Sequence, residues 1–368
     1  MRRTVLALAL ALSWSWAAAQ IVVGQTAAFT GPEAASVKEM TDGAKLYFDQ
    51  VNAAGGVFGE KIELVSLDDQ GNPQKAAANA RKLITENNAL ALTLTRGVAT
   101  TQAVVPVAAQ DHVPLVAPSS GAMALREPAN PWVFNLRASS QEEAEHAVDH
   151  LVQMGMSRIG MAYSNDAYGM DARIGALRAF DKAHMRVAFA LPYPAGRHAD
   201  FSQVVLGVSK LDAQAVILIG PGQDVADATR ALRLKGLPAT VVTLSNNANG
   251  QFVKQMAEFA RGAVVAQAFP DEHAMSAPLI KEAYAQANAK GIYELTPDMV
   301  EGYASAKLLV EGLKKAGKQP TRQKLHDALD SLGKINLGGM EVAFSPKNHA
   351  GSDFTDLAIV GPDGKFRR

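Results

Sequence analysis

From Gln20 onward the chain alternates strand-like and helix-like segments, and that alternation restricts the fold to parallel sheets with helices on both faces. Ile21-Val22-Val23 is a short apolar run that ends in turn residues around Gly31-Pro32. A helix pattern follows from Ala34 to Ala53, with Met40, Ala44, Leu46, Tyr47 and Val51 on one side, and Gly55-Gly56 stops it. Lys61 to Asp68 reads as a strand, Asn72-Pro73 opens a helix, and Ala89 to Leu94 is the next strand. Helix Thr100 to Ala109 and strand Val113 to Ala117 complete the first series. The rhythm restarts near Ser140. Helices over 141–154, 169–184, 201–211 and 224–234 then separate strands at 158–162, 187–191, 215–219 and 240–244. After Gly262 come a strand at 264–269, helices at 277–290, 297–316 and 322–332, and hairpin signals at Asn348–Gly351 and Asp363-Gly364.

Residues 1–19 have the order of a Sec-type signal peptide. Arg2 and Arg3 precede an apolar stretch from Val5 to Trp16, and Ala17-Ala18-Ala19 supplies a cleavage site before Gln20. The stretch is shorter than the roughly 20 residues a membrane span needs, and with no cysteine there is no lipid acceptor. The expected mature protein is exported to the periplasm, unanchored and monomeric. Lys+Arg and Asp+Glu number 36 each, so loss of Arg2 and Arg3 leaves a net charge near −2 and no footprint for nucleic acid. Absence of Cys removes disulfides, thiolate nucleophiles and Cys-ligated metals together.

In open parallel sheets, ligands bind beyond the carboxyl ends of strands, where helix N-termini present unpaired N–H groups. Several strand-to-helix turns carry short donors there: Thr95-Arg96-Gly97-Val98-Ala99-Thr100-Thr101, Ala117-Pro118-Ser119-Ser120-Gly121, Tyr163 to Gly169, Gly220-Pro221-Gly222 and Ser245-Asn246-Asn247. These residue types suit a carboxylate, and they are equally ordinary helix caps. Gly220-Pro221-Gly222 lacks dinucleotide-binding spacing and a P-loop lysine, and Ser119 and Ser120 do not lie in a nucleophile elbow. His146 and His150 occur without H-E-x-x-H and read as a solvated helix face. Asp68-Asp69 reads as a turn or cap, with no metal or cofactor expected. Arg96 and Arg137 can each meet an anionic ligand or a neighbouring acid.

In this setting the chain resembles the type I solute-binding proteins of ABC transporters, of the leucine/isoleucine/valine-binding family. The resemblance rests on Phe29-Thr30-Gly31-Pro32, Gly43-Ala44, Asn52-Ala53-Ala54-Gly55-Gly56-Val57, Asp68-Asp69 with Pro73, Ala167-Tyr168-Gly169, Phe201-Ser202 and the run Ala231 to Leu237. It implies an α/β fold of two doubly wound parallel-sheet lobes joined by three crossovers, near Ala138, Gln267 and Ala343. Lobe one is then residues 20–138 plus 268–342, and lobe two 139–267 plus 343–368. A ligand binds between the lobes, which close by hinge motion and dock on a membrane permease. The resemblance places Val98, Ala99, Thr100, Ser119 and Gly121 at the ligand's carboxylate and ammonium, and Tyr168 as a closing aromatic.

Departures from the family pattern bear on the ligand. Ser245 and Asn246 stand where amino-acid binders carry an acid, Pro221 replaces an aromatic residue, and Arg96 replaces an apolar one. Loss of a carboxylate and gain of a guanidinium suit a carboxylate without an amine. The expected site is Arg96, Val98, Ala99, Thr100, Thr101, Ser119, Ser120, Gly121, Tyr168, Pro221, Ser245 and Asn246, holding an organic acid or an amino-acid-like compound. The alternative is a branched-chain amino acid whose ammonium meets Asp166 or Asp298. An exported α/β hydrolase is the rival of another class, and a cytoplasmic ligand-sensing regulator on the same fold is a third.

Overall fold

The computed structural model describes residues 20–196 and 199–368; the expected signal peptide lies outside them. The first series forms β1 (Gln20–Ala27), α1 (Ala34–Ala53), β2 (Lys61–Asp68), α2 (Pro73–Thr85), β3 (Ala91–Thr93), α3 (Val98–Gln110), β4 (Leu115–Val116) and β5 (Val133–Phe134). Its strands make a parallel sheet in the order β2-β1-β3-β4-β5. Helix ends follow local chemistry. Asn72 caps α2 by accepting from Lys75 N–H, with Pro73 in the first turn. Gly55 and Gly56 take positive φ beyond the end of α1.

The second series forms α4 (Ser140–Gln153), β6 (Ile159–Ser164), α5 (Ala167–Lys182), β7 (Ala190–Tyr193), α6 (Ser202–Lys210), β8 (Ala215–Ile219), α7 (Gly222–Leu234), β9 (Thr240–Thr243), α8 (Gly250–Met256) and β10 (Val264–Gln267). Every residue of β8 is buried, as a continuous apolar run demands in a sheet covered on both faces. Strands β6 to β10 pair in parallel. The chain then returns to lobe one through α9 (Pro278–Ala289), α10 (Pro297–Ala316), α11 (Arg322–Asp330), β11 (Gly333–Asn336), β12 (Glu341–Ser345) and β13 (Asn348–Gly351). It ends with β14 (Asp356–Val360) and β15 (Phe366–Arg367) on the second sheet.

Three features differ from the sequence reading. The second sheet is mixed, because β14 and β15 add to it antiparallel. Strands β11 to β13 form a small antiparallel sheet, so Asn348–Gly351 is itself a strand and not a hairpin turn. The third crossing falls between Gly351 and Asp356 instead of near Ala343. Val342 and Phe344 belong to the core under α1 and α10, and Asn135 N–H donates to His349 O at 2.9 Å. Those contacts keep the chain in lobe one until Gly351.

The core of lobe one depends on two helices meeting backbone to backbone. A Cβ on Gly43 of α1 would lie 2.0 Å from Met299 O, and one on Gly302 of α10 would lie 1.8 Å from Met40 O. The same device recurs in lobe two, where a Cβ on Gly175 of α5 would lie 2.0 Å from Gln141 O of α4. Close packing of this kind fixes the position of α10, whose N-terminal turn carries Asp298 and Glu301 toward the other lobe. No helix among the described residues is long and apolar enough to cross a membrane.

Candidate ligand-binding cleft between the lobes

Two strand ends in lobe one aim the site. Immediately after β3 and β4 the backbone turns through Leu94 (φ 52°) and Ala117 (φ 50°), left-handed conformations at buried apolar residues. Such positions cost about 1–3 kcal/mol each and persist where the surroundings enforce them. Ser119 N–H then donates to Thr95 O at 2.7 Å, which lays the two loops side by side. Gly97 (φ 89°) precedes α3 and offers no side-chain cap. The first amide with a helical partner is Thr101 N–H, on Gly97 O at 3.2 Å. Val98, Ala99 and Thr100 line the cleft at this uncapped end, where unpaired N–H groups and the helix dipole favour an anion. By contrast, side chains of Ser139 and Asp166 cap α4 and α5.

Lobe two supplies the facing wall. Tyr168, in the first turn of α5, donates its hydroxyl to Asn246 Oδ1 at 2.6 Å, and Asn246 Nδ2 donates to Gly220 O at 3.0 Å. Pro221 precedes α7, and Ser245 and Asn246 follow β9. Between the walls lies a cavity of 370 Å³, within the usual range for small-molecule sites. The hinge side is tight: a Cβ on Gly121 would sit 2.3 Å from Ser140 Oγ.

Two guanidiniums hold the floor and bridge the lobes. Arg96 pairs with Glu33 at 2.9 Å and Asp298 at 3.3 Å, and reaches Asn246 O of lobe two at 3.5 Å. Arg137 pairs with Glu143 of lobe two and Glu301 of lobe one, each at 3.3 Å, and donates to Ser245 Oγ. Ser119 Oγ lies 3.4 Å from a terminal nitrogen of both arginines. Arg137 lines the cavity, and its Nε is buried without a partner. Burial pushes the Asp298 carboxyl up to about 7, more than Arg96 and the Ser36 hydroxyl pull it down.

Eleven of the twelve expected residues line the cavity: Arg96, Val98, Ala99, Thr100, Ser119, Ser120, Gly121, Tyr168, Pro221, Ser245 and Asn246. Thr101 is not among them, because its buried hydroxyl bonds to Thr95 Oγ1 at 3.0 Å. Thr100 contributes backbone, since its hydroxyl donates to the carbonyls of Arg96 and Gly97. The lining also includes Glu33, Ser140 and Glu143, which the sequence does not single out, together with Arg137, expected to meet an anion or an acid, and Asp166, expected to meet an ammonium. Glu143 looks like an ordinary first-turn acid in sequence; only the approach of α4 to lobe one turns it inward. With Glu33, Glu143, Asp298 and Glu301 all set against the two guanidiniums, the cleft has no surplus cation. That removes the charge argument for an amine-free ligand. Asp298 is engaged by Arg96 and Ser36, so of the two acids expected to meet an ammonium, Asp166 is the one on the cavity wall. Away from the cleft, Asp68 accepts from Phe29 N–H and Gln70 N–H as a turn residue, and His146 bonds to Thr355.

Comparison with known proteins agrees with this architecture. The family model for periplasmic binding proteins matches residues 20–365. A substrate-binding periplasmic protein from Ralstonia solanacearum superposes with a TM-score of 0.85 at 31% identity, over 94% of this chain and 99% of that one. An extracellular ligand-binding receptor from Verminephrobacter eiseniae gives 0.84 at 29% identity, over 95% and 100%. A Leu/Ile/Val-binding protein homolog from Brucella melitensis is 25% identical over 353 residues, 95% of this chain and 93% of its own length. The chain belongs to the periplasmic binding protein family.

Proposed function

We propose that this protein is the periplasmic receptor of an ABC uptake transporter, exported by a cleaved signal peptide, and that it binds a small carboxylate-bearing solute without transforming it. The observation that carries the reading is the uncapped start of α3. There the amides of Val98, Ala99 and Thr100 meet the Ser119 hydroxyl and the Arg137 side chain around one cavity. The solute carboxylate sits on these lobe-one donors, and Tyr168, Ser245 and Asn246 cover it from lobe two. Bridging of the lobes by Arg96 and Arg137 favours the closed form, which the solute stabilises further by touching both walls at once. The receptor acts as a monomer and presents its closed face to the permease.

Within this reading, the second candidate is a branched-chain amino acid. It is favoured by Asp166 on the cavity wall, whose Oδ1 caps α5 through Gly169 N–H at 2.9 Å and serves an ammonium only with its remaining valences. A relative named as Leu/Ile/Val-binding supports it as well. Calorimetric titration with L-leucine, 4-methylpentanoate and benzoate separates the cases. Binding of 4-methylpentanoate or benzoate at least as tight as that of leucine supports the amine-free acid. Binding of leucine alone supports the amino acid, and silence from every carboxylate tried defeats the proposal.

A further inference from the structure

The solute cavity does not end at Pro221. A second chamber of 280 Å³ shares Glu33, Pro221 and Asn246 with the first and is likewise walled by both lobes. Lobe one contributes the start of α1, including Ser36, and lobe two contributes the start of α7 and the region of α8. The lobe-two wall is a concentration of carboxamides. Some are committed within the protein: Asn247 Nδ2 donates to Gly220 O and Thr243 Oγ1, and Asn249 caps α8. Gln255 offers only its backbone carbonyl, to Arg230, and the side-chain amides of Gln251 and Gln255 face the chamber without a hydrogen bond to any described residue. Helix α7 also begins at Pro221 without a side-chain cap. The carboxamides crowd this bare end, since a Cβ on Gly222 would lie 2.9 Å from Gln255 Oε1 and 3.2 Å from Asn247 Oδ1.

Neutral groups that both donate and accept recognise another of their kind. An alkyl tail drawn into this chamber leaves the amides desolvated and unpaired, whereas a polar tail satisfies them. We propose that the second chamber is a subsite for a neutral hydrogen-bonding tail, a carboxamide or hydroxyl carried by the same solute whose carboxylate lies at α3. This inference rests on the carboxylate reading above and extends it: the solute is longer than leucine and polar at its far end.

The test is a calorimetric series of ω-carbamoyl carboxylates, from succinamate to pimelamate, each against the n-alkanoate of equal length. One chain length is expected to favour the carboxamide by about tenfold, the discrimination that two hydrogen bonds supply. Gln251→Ala with Gln255→Ala should erase that preference without weakening the alkanoate, whose tail then strands no amide. Gln251 is exposed and Gln255 half-buried, so the variant keeps its fold. Alkanoates that bind as well as their carbamoyl partners at every length overturn the subsite and leave the carboxylate site standing. If neither series binds while L-leucine does, the subsite falls and the carboxylate reading stands; if L-leucine is silent as well, both fall together.

Discussion

Replacing Arg137 by Met deletes the guanidinium that lies between Glu143 and Glu301, whose side chains are only 2% and 8% exposed. Breaking a buried ion pair from one side costs about 3–5 kcal/mol, because the remaining charge stays desolvated. Glu143 keeps the Ser245 amide at 2.9 Å. Glu301 loses both of its contacts with Arg137 and carries most of the penalty, so we expect about 4 kcal/mol in total. An unfolding entropy of about 2.1 cal/mol/K per residue gives about 0.7 kcal/mol/K for a chain of this size, and hence a fall in Tm of about 5–6 °C. Urea titration followed by circular dichroism gives the free energy, and calorimetry gives the Tm. A triple variant, Arg137→Met with Glu143→Gln and Glu301→Gln, removes the uncompensated charges and should recover more than half of the loss. A loss below about 1 kcal/mol in the single variant, or a triple variant no more stable than the single, refutes the reasoning.

Other outcomes follow from the same geometry. Ser119→Ala should weaken solute binding about tenfold by removing a hydroxyl placed between two guanidiniums. Thr101→Ala should leave affinity within about twofold while lowering stability by about 1 kcal/mol, since only Thr95 loses a partner; calorimetry and urea titration read the two effects apart. Asp298 holds its proton up to about pH 7 in the fold, whereas an unfolded Asp releases it near 4. The folded state therefore binds more protons between these values. The resulting stabilisation is full below pH 4 and is lost as pH rises through 7. Asp298→Asn should flatten that decline in urea midpoints measured at pH 5 and pH 8, and an unaltered slope contradicts the assignment. Gly302→Ala, with its Cβ directed at Met40 O, should destabilise lobe one by about 1–3 kcal/mol as overpacking does, and a neutral result in urea titration disproves the close helix contact.

Much of the fold was legible because period and punctuation agreed. The bounds of α1 and α10, Ala34–Ala53 and Pro297–Ala316, can be read from apolar spacing with Gly55-Gly56 after one helix and Pro297 opening the other. Strand β5 was not legible, since Val133-Phe134 is too short to show any alternation. Strand β13 was misread because Asn348 and Gly351 carry turn chemistry, although the turn lies at Pro346-Lys347. The amide half of the site was legible because it follows directly from parallel strands ending in short polar turns. The charged half was legible only in part: Arg96, Arg137, Asp166 and Asp298 stand out as candidate ionic partners, whereas Glu143 and Glu301 do not. Arg137 and Glu143 come from one segment and Asp298 and Glu301 from another, and they meet only because α10 packs against α1 through Gly43 and Gly302 and because α4 faces the hinge.

Whether α3 grips a carboxylate is tested most directly by titrating L-leucine and 4-methylpentanoate beside their primary amides in the same calorimeter cell. The amide keeps the shape of the acid and abolishes its negative charge. The bound acid should form a one-to-one complex at least about tenfold tighter than its amide, the difference that charge-assisted donors at a helix start supply. Equal affinity for acid and amide would contradict the account.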